Sequence, residues 1–165
     1  MIGLVMPFEA TIVPLYYQLR SMGLTGSLWG VILPEIGLFC AFGIFWMRQF
    51  FMASPPALVE AARIDGAGSF RILRSVLLPT AWPPVLTLAT LMFIWSWNEF
   101  LLSLVVLDRS TRTAPSGLGI FTGQWVSDVP ALSAAAIIVA LPTMLLYIAL
   151  NRKIISGVLQ GAVKG

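Results

Sequence analysis

Histidine is absent, and the chain of 165 residues has one cysteine, Cys40. The first absence removes most zinc, haem and imidazole acid–base sites. The second excludes an internal disulfide and leaves the redox compartment unread. Charge is also scarce. Asp, Glu, Lys and Arg make up 10% of the chain, hydrophobic residues make up 58%, and the mean hydropathy is +0.90. A soluble domain carries about 25% charged residues, so the polar side chains here are too few to cover a core. A soluble globular fold and a disordered chain are both excluded. No G-x-x-x-x-G-K-[ST] run is present, so there is no P-loop to cradle a nucleotide. The pI is near 9.5, but the net charge is only +3, and the bases form no stripe of the kind that binds nucleic acid. Lipid is the solvent that fits.

Apolar runs fill most of what is there. A helix needs about 20 mostly apolar residues to cross a bilayer. Four stretches qualify or nearly do: about 1–19, 29–47, 84–107 and 131–151. The first is interrupted by Pro7, Glu9 and Pro14, and it has neither a basic start nor a cleavage site, so it is not a secretory signal peptide. It reads as a helix whose partners or beginning lie upstream. The fold class expected is all-α, a polytopic transmembrane helix bundle. Every Lys and Arg falls in a loop or at a span end. Arg48, Arg63, Arg71, Arg74, Arg152, Lys153 and Lys164 lie in the 48–83 loop and the tail, whereas Arg20, Arg109 and Arg112 lie in the other two loops. The excess assigns the 48–83 loop and the C-terminus to the cytoplasm. Trp29, Trp82 and Trp125 fall at or near span ends, where indole rings favour the interface. Trp46 and Trp97 read most simply as lipid or interface anchors.

Loop 48–83 carries the most information. Ser54 is a candidate N-cap before Pro55-Pro56. A short helix over about 57–65 follows, with Leu58, Ala61 and Ala62 on one apolar face and Glu60 off it. Gly66 permits a break or a left-handed turn. A second helix over about 69–78 carries Phe70, Leu73 and Leu77 on one face, and Pro79 is expected to end it. Two readings stand side by side: an amphipathic pair lying on the headgroups, or a docking element for a soluble partner.

Glu60-Ala61-Ala62, Gly66, Val76 and Leu78-Pro79 stand at the intervals E-A-A, x3, G, x9, I, x, L-P. This run resembles the EAA motif of ABC importer permeases and departs from it only in Val76 for isoleucine. Phe42-Gly43-Ile44-Phe45, Arg48-Gln49-Phe50-Phe51, Trp95-Ser96-Trp97-Asn98-Glu99-Phe100 and the tail Gly161-Ala162-Val163-Lys164-Gly165 are similar to the maltose-type carbohydrate branch. The resemblance implies a partial permease domain over 1–165 that lacks the first two spans of the family, with a coupling loop at 53–79. It implies a multi-pass subunit of a bacterial inner membrane and no enzyme, since ATP and Mg are bound by a partner ATPase. The coupling residues implied are Glu60, Ala61, Ala62, Asp65, Gly66, Leu78 and Pro79. The partners implied are ABC ATPase subunits, a second permease subunit in a heterodimer, a solute-binding protein and membrane lipid, with no nucleic acid. A permease for phosphate, polyamines or amino acids is the alternative, because the motif is shared.

Glu9, Glu35 and Glu99 fall within or at the edge of spans, where an acid must face protein or a water-filled path. Trp95, Asn98, Glu99 and Leu102 would share one face of a continuous helix. That face suits either a sugar path, with ring stacking and hydroxyl partners, or a lock between neighbouring helices. A membrane hydrolase using Asp65 or Glu99 lacks a histidine, a Ser–base pair and a metal cluster, so no catalytic or metal residue is expected. A purely structural anchor is the third class, separated from a transporter by whether an ATPase co-purifies. The tail 152–165 reads as a frayed terminus or as a contact with the ATPase interface.

Overall fold

The computed structural model describes residues 8–123 and 128–162, with side chains described for 9–123 and 128–149. Among these residues every regular element is a helix. The elements are α1 (Phe8–Ser21), α2 (Trp29–Ala53), α3 (Pro56–Ile64), α4 (Ser69–Ile72), a wide π turn (Leu73–Leu77), α5 (Leu78–Thr80), α6 (Trp82–Trp97), α7 (Leu101–Val106), α8 (Ala114–Gly117), a 3-10 turn (Leu118–Phe121) and α9 (Val129–Ala162). The chain forms two compact units. One comprises Met1–Leu38 and Ile94–Met144, the other Phe39–Phe93 and Leu145–Gly165.

Two helices are long and apolar enough to cross a membrane by themselves: α2, of 25 residues, and the Val129–Ala149 part of α9, of 21 residues. A third candidate is a bent pair, Ser69–Thr80 with Trp82–Trp97, turned by 70° at the break. The side chains on these helices stay largely uncovered. Ile44, Ile137, Ile138 and Ile148 are all exposed, which is costly in water and neutral in lipid.

In the first unit α1 packs against α7. Ile12, Leu15, Tyr16 and Leu19 recur at i, i+3, i+4 and i+7, the stripe of an amphipathic helix. Ile12 and Leu19 are buried with Val31, Leu102, Val106 and Leu107, and Leu15, Tyr16, Leu24 and Leu101 pack around them. Gly30 allows this closeness. A Cβ there would stand 2.5 Å from Leu24 O and 2.7 Å from Val106 Cγ1.

In the second unit α2 approaches α6 at Gly43, where a Cβ would stand 2.9 Å from Met92 Cε. Thr87 and Thr90 of α6 are buried. Their hydroxyls donate to Pro83 O at 3.1 Å and Leu86 O at 2.7 Å, on their own helix, so neither is left unpaired in an apolar contact.

Several expectations are revised. Residues 84–107 are not one helix, because α6 ends at Trp97 and a new helix starts at Leu101. The helix of the fourth stretch does not stop at 151 but runs to Ala162, so the backbone of the tail is helical that far rather than frayed. Trp46 and Trp97 are not simple anchors, since each indole N–H reaches a backbone carbonyl of another helix. Trp46 Nε1 donates to Pro84 O at 3.2 Å, and Trp97 Nε1 donates to Val139 O at 2.9 Å. Trp125, Pro7 and the start of the first stretch lie outside the described residues.

Candidate functional site

The loop after α2 is built by its backbone. Pro55, at φ −58° and ψ 126°, leads into α3, and Pro56 takes the first helical position, where a missing N–H costs nothing. Ser54 is not the N-cap. Its hydroxyl turns back and donates to Phe50 O at 3.1 Å, ending α2 rather than starting α3. At the other end Gly66 adopts φ +76°. The Ala67 N–H donates to Ala62 O at 2.9 Å, and the Gly66 N–H donates to Arg63 O at 3.0 Å. These two bonds and the left-handed glycine make a Schellman cap. In that cap Ala62 must stand four residues before the glycine. The interval from the second alanine to Gly66 is therefore the geometry of a helix end.

The candidate residues divide by side. Ala62 is buried, and the helix that carries it packs on α4 and on the π turn. Glu60, Ala61 and Asp65 are exposed on the short helix and its C-cap. Leu58 is exposed to 41% and Ile64 to 86%, and Phe70, across the glycine turn, is exposed to 74%. The nine-residue helix thus carries a small, mixed set of exposed side chains, with Ala62 alone buried on it. Leu78 and Pro79 are both exposed in α5. Pro79 does not end the helix, which continues through Thr80 to an Ala81 cap.

The break between α6 and α7 is built by side chains instead. The Glu99 carboxylate accepts from the Leu102 N–H at 2.7 Å and from the Ser103 N–H at 2.9 Å. It occupies the positive end of α7 and satisfies two of its unpaired donors. The shared face expected for Trp95, Asn98, Glu99 and Leu102 does not form, because the helix that would carry it is interrupted. Trp95 and Asn98 are exposed, Leu102 is fully buried, and Asn98 Nδ2 donates to Ile94 O at 2.7 Å.

Below Glu99 lies a hydroxyl knot absent from the expectations. Ser103 and Ser116 are both fully buried, with Oγ atoms 2.7 Å apart. Ser103 Oγ accepts from the Thr113 N–H at 3.1 Å and from Thr113 Oγ1 at 2.9 Å. Ser116 Oγ donates to Thr113 O at 3.2 Å. Each proton is used once if Ser103 donates to Ser116. The signal that could have found this is Thr113-Ala114-Pro115-Ser116, a hydroxyl followed by a proline-started turn. Glu35 stands out in the sequence as an acid in an apolar run, but nothing local marks its partner. Ser96 Oγ donates to Glu35 Oε2 at 2.6 Å, while Glu35 Oε1 is buried without a hydrogen-bond partner among the described residues.

Among the described residues no group of His, Cys, Asp and Glu could hold a metal ion. The features are those of a chain with helices long and apolar enough to cross a membrane and a short helix whose side chains are mostly exposed.

Comparison with known proteins agrees. The family "Binding-protein-dependent transport system inner membrane component" matches residues 1–157. The diacetylchitobiose uptake system permease protein NgcG of Streptomyces coelicolor is 34% identical over 165 residues, covering 98% of this chain and 55% of the relative. The trehalose transport system permease protein SugB of Mycobacterium tuberculosis is 34% identical over 162 residues, covering 96% of this chain and 59% of the relative. A crystal structure of a bacterial ABC transporter involved in the import of the acidic polysaccharide alginate aligns with a TM-score of 0.68 at 28% identity, covering 92% of this chain and 59% of that one. The chain therefore spans less than two thirds of each. From these matches and from its apolar helices, the chain belongs to the family of binding-protein-dependent transport inner membrane components, the permeases of ABC transporters.

Proposed function

We propose that this chain is the membrane-spanning part of an ATP-driven importer for a carbohydrate, with ATP hydrolysis carried out by a separate ATPase subunit. The observation that supports it most is α3: a nine-residue helix, closed by the Schellman cap at Gly66, that presents Glu60, Ala61 and Ile64 outward. Such a helix seats in a cleft as one body. When an ATPase pair closes on ATP, the helix moves with it, because packed surfaces switch between arrangements rather than deform. The small side chain of exposed Ala61 permits close approach to the partner, buried Ala62 belongs to the base of the helix, and exposed Glu60 meets a basic residue of the partner. On this reading loop 48–83 and the C-terminus are cytoplasmic, an assignment that the distribution of Lys and Arg supports. A second permease subunit and a solute-binding protein complete the importer.

The carbohydrate assignment rests on relatives named for diacetylchitobiose and trehalose. Of the path candidates, exposed Trp95 and Asn98 are the ones that would meet a sugar, one by stacking and one by hydrogen bonding. Glu99 is committed to the α7 cap.

The test is reconstitution of the importer with its ATPase, binding protein and second permease. Glu60→Ala lowers uptake and the stimulation of ATP hydrolysis while insertion stays normal. Unchanged uptake by that variant defeats the coupling assignment. Uptake of phosphate or an amino acid, with no response to any oligosaccharide, defeats the sugar assignment and leaves the permease standing.

A further inference from the structure

Pro79 sits inside a helical run, which needs a physical account. Proline has no N–H, and its ring crowds the carbonyl four residues back, here that of Ser75. A plain α-helix over Ser69–Thr80 would carry that clash in its middle. The structure removes it with one wide turn. Over Leu73–Leu77 the bonds span five residues, and the Leu78 N–H donates to Leu73 O. Leu77 and Leu78 keep helical dihedrals, at φ −80°, ψ −44° and φ −62°, ψ −40°, so the chain absorbs one extra residue without breaking. Helix then resumes through Pro79. Thr80 Oγ1 donates to Leu77 O at 2.8 Å, and the Ala81 N–H lies 3.1 Å from both Leu77 O and Leu78 O. Ala81 is fully buried at the corner, and α6 leaves it bent by 70°.

Two consequences follow from the position of this turn. An absorbed residue changes helical phase by about 100°, one residue's share of a 3.6-residue turn. Everything before Leu73 is therefore rotated relative to everything after Leu77. Before it, α4 follows α3, which packs directly on α4 and on the wide turn. After it, α5 leads into α6, whose first turn is held to α2 by the Trp46 bond to Pro84 O.

We propose that the Leu73–Leu77 turn is a phase-setting joint: it fixes the azimuth at which α3 is presented relative to α6, so that force on α3 arrives as a tilt of α6 in one direction. Pro79 creates the joint and buried Ala81 locks its exit. This rests on the reading of α3 as the docking helix.

The experiment uses the full-length permease in its reconstituted importer. One variant combines deletion of Ser75 with Pro79→Ala, which removes both the extra residue and its cause. A second carries Pro79→Ala alone and keeps the residue count. Expression, ATPase capture on the purified permease, and uptake are read for each. The joint predicts that the deletion variant inserts and still captures the ATPase, yet loses uptake about tenfold, within the usual range of a coupling between sites. Pro79→Ala alone loses less. Uptake by the deletion variant at the wild-type level overturns the proposal. Equal loss in the two variants overturns it too, because the ring rather than the phase then matters. Failure of the deletion variant to insert or to capture the ATPase also counts against it, since a plain α-helix should be no less stable than the turn it replaces. If the unmodified permease captures no ATPase, the docking reading of α3 fails instead, which is a separate result.

Discussion

The chain interrupts its helices in two regions, and the two are built from opposite materials. Between α3 and α6 the interruptions are backbone devices: proline at the start of α3, a left-handed glycine at its end, and a wide turn opened by Pro79. Between α6 and α8 they are side-chain devices: a carboxylate on two N–H groups, then three hydroxyls on one another. Backbone devices fix angles and leave the surface free for a partner. Side-chain devices consume their polar atoms internally and leave little for a ligand. On the proposed function the first region transmits force and the second holds a shape.

Substitutions can break this contrast. The largest effect is expected for Glu99→Ala, which strips two charge-assisted bonds from α7. At about 1.5 kcal/mol each, the loss is about 3 kcal/mol. Thermal unfolding of the purified permease would register it, and Glu99→Gln, which keeps an acceptor, should fall between. If Glu99→Gln assembles and transports normally, the carboxylate charge is not what holds the break. Next is Ser103→Ala, which takes away the acceptor of the Thr113 N–H and one of the partners of Ser116 Oγ. An unsatisfied buried donor costs about 2 kcal/mol, read by the same melt. Gly66→Val forces a side chain into φ +76°, at a cost of about 1–2 kcal/mol. Its signature differs, because the melting temperature moves less than for Glu99→Ala while uptake falls more. A Gly66→Val permease with full uptake would erase the distinction between the regions. The smallest effect is expected for Trp46→Phe and Trp97→Phe. Each loses one interhelical bond, worth about 0.6 kcal/mol in a membrane.

The same contrast explains what the sequence disclosed. Gly66 and Pro56 announce themselves, because few other residues serve a left-handed turn or a first helical position, and the bounds of α3 were legible to within a residue or so. Pro79 was visible as a breaker, but a proline says that a helix must adjust, not how, and the wide turn was not legible. Glu99 was visible as an acid in an apolar run, which is equally consistent with a path, a lock or a cap. Only the position of the α6 end, which no breaker marks, selects the cap. Ser103 and Ser116 are thirteen residues apart, and nothing local pairs them. The bonds of the Trp46 and Trp97 indoles are hidden in the sequence for a similar reason, since their acceptors are 38 and 42 residues away.

The most direct measurement is site-directed cross-linking along α3 in whole cells. Cys40, the chain's single native cysteine, is first replaced by serine, and single cysteines are then placed at Glu60, Ala61, Ile64 and, as a buried control, Ala62. The account predicts that a cytoplasmic ATPase is captured from the three exposed positions and not from Ala62. Capture from none of them, or labelling of these cysteines by a reagent confined to the cell exterior, would contradict it.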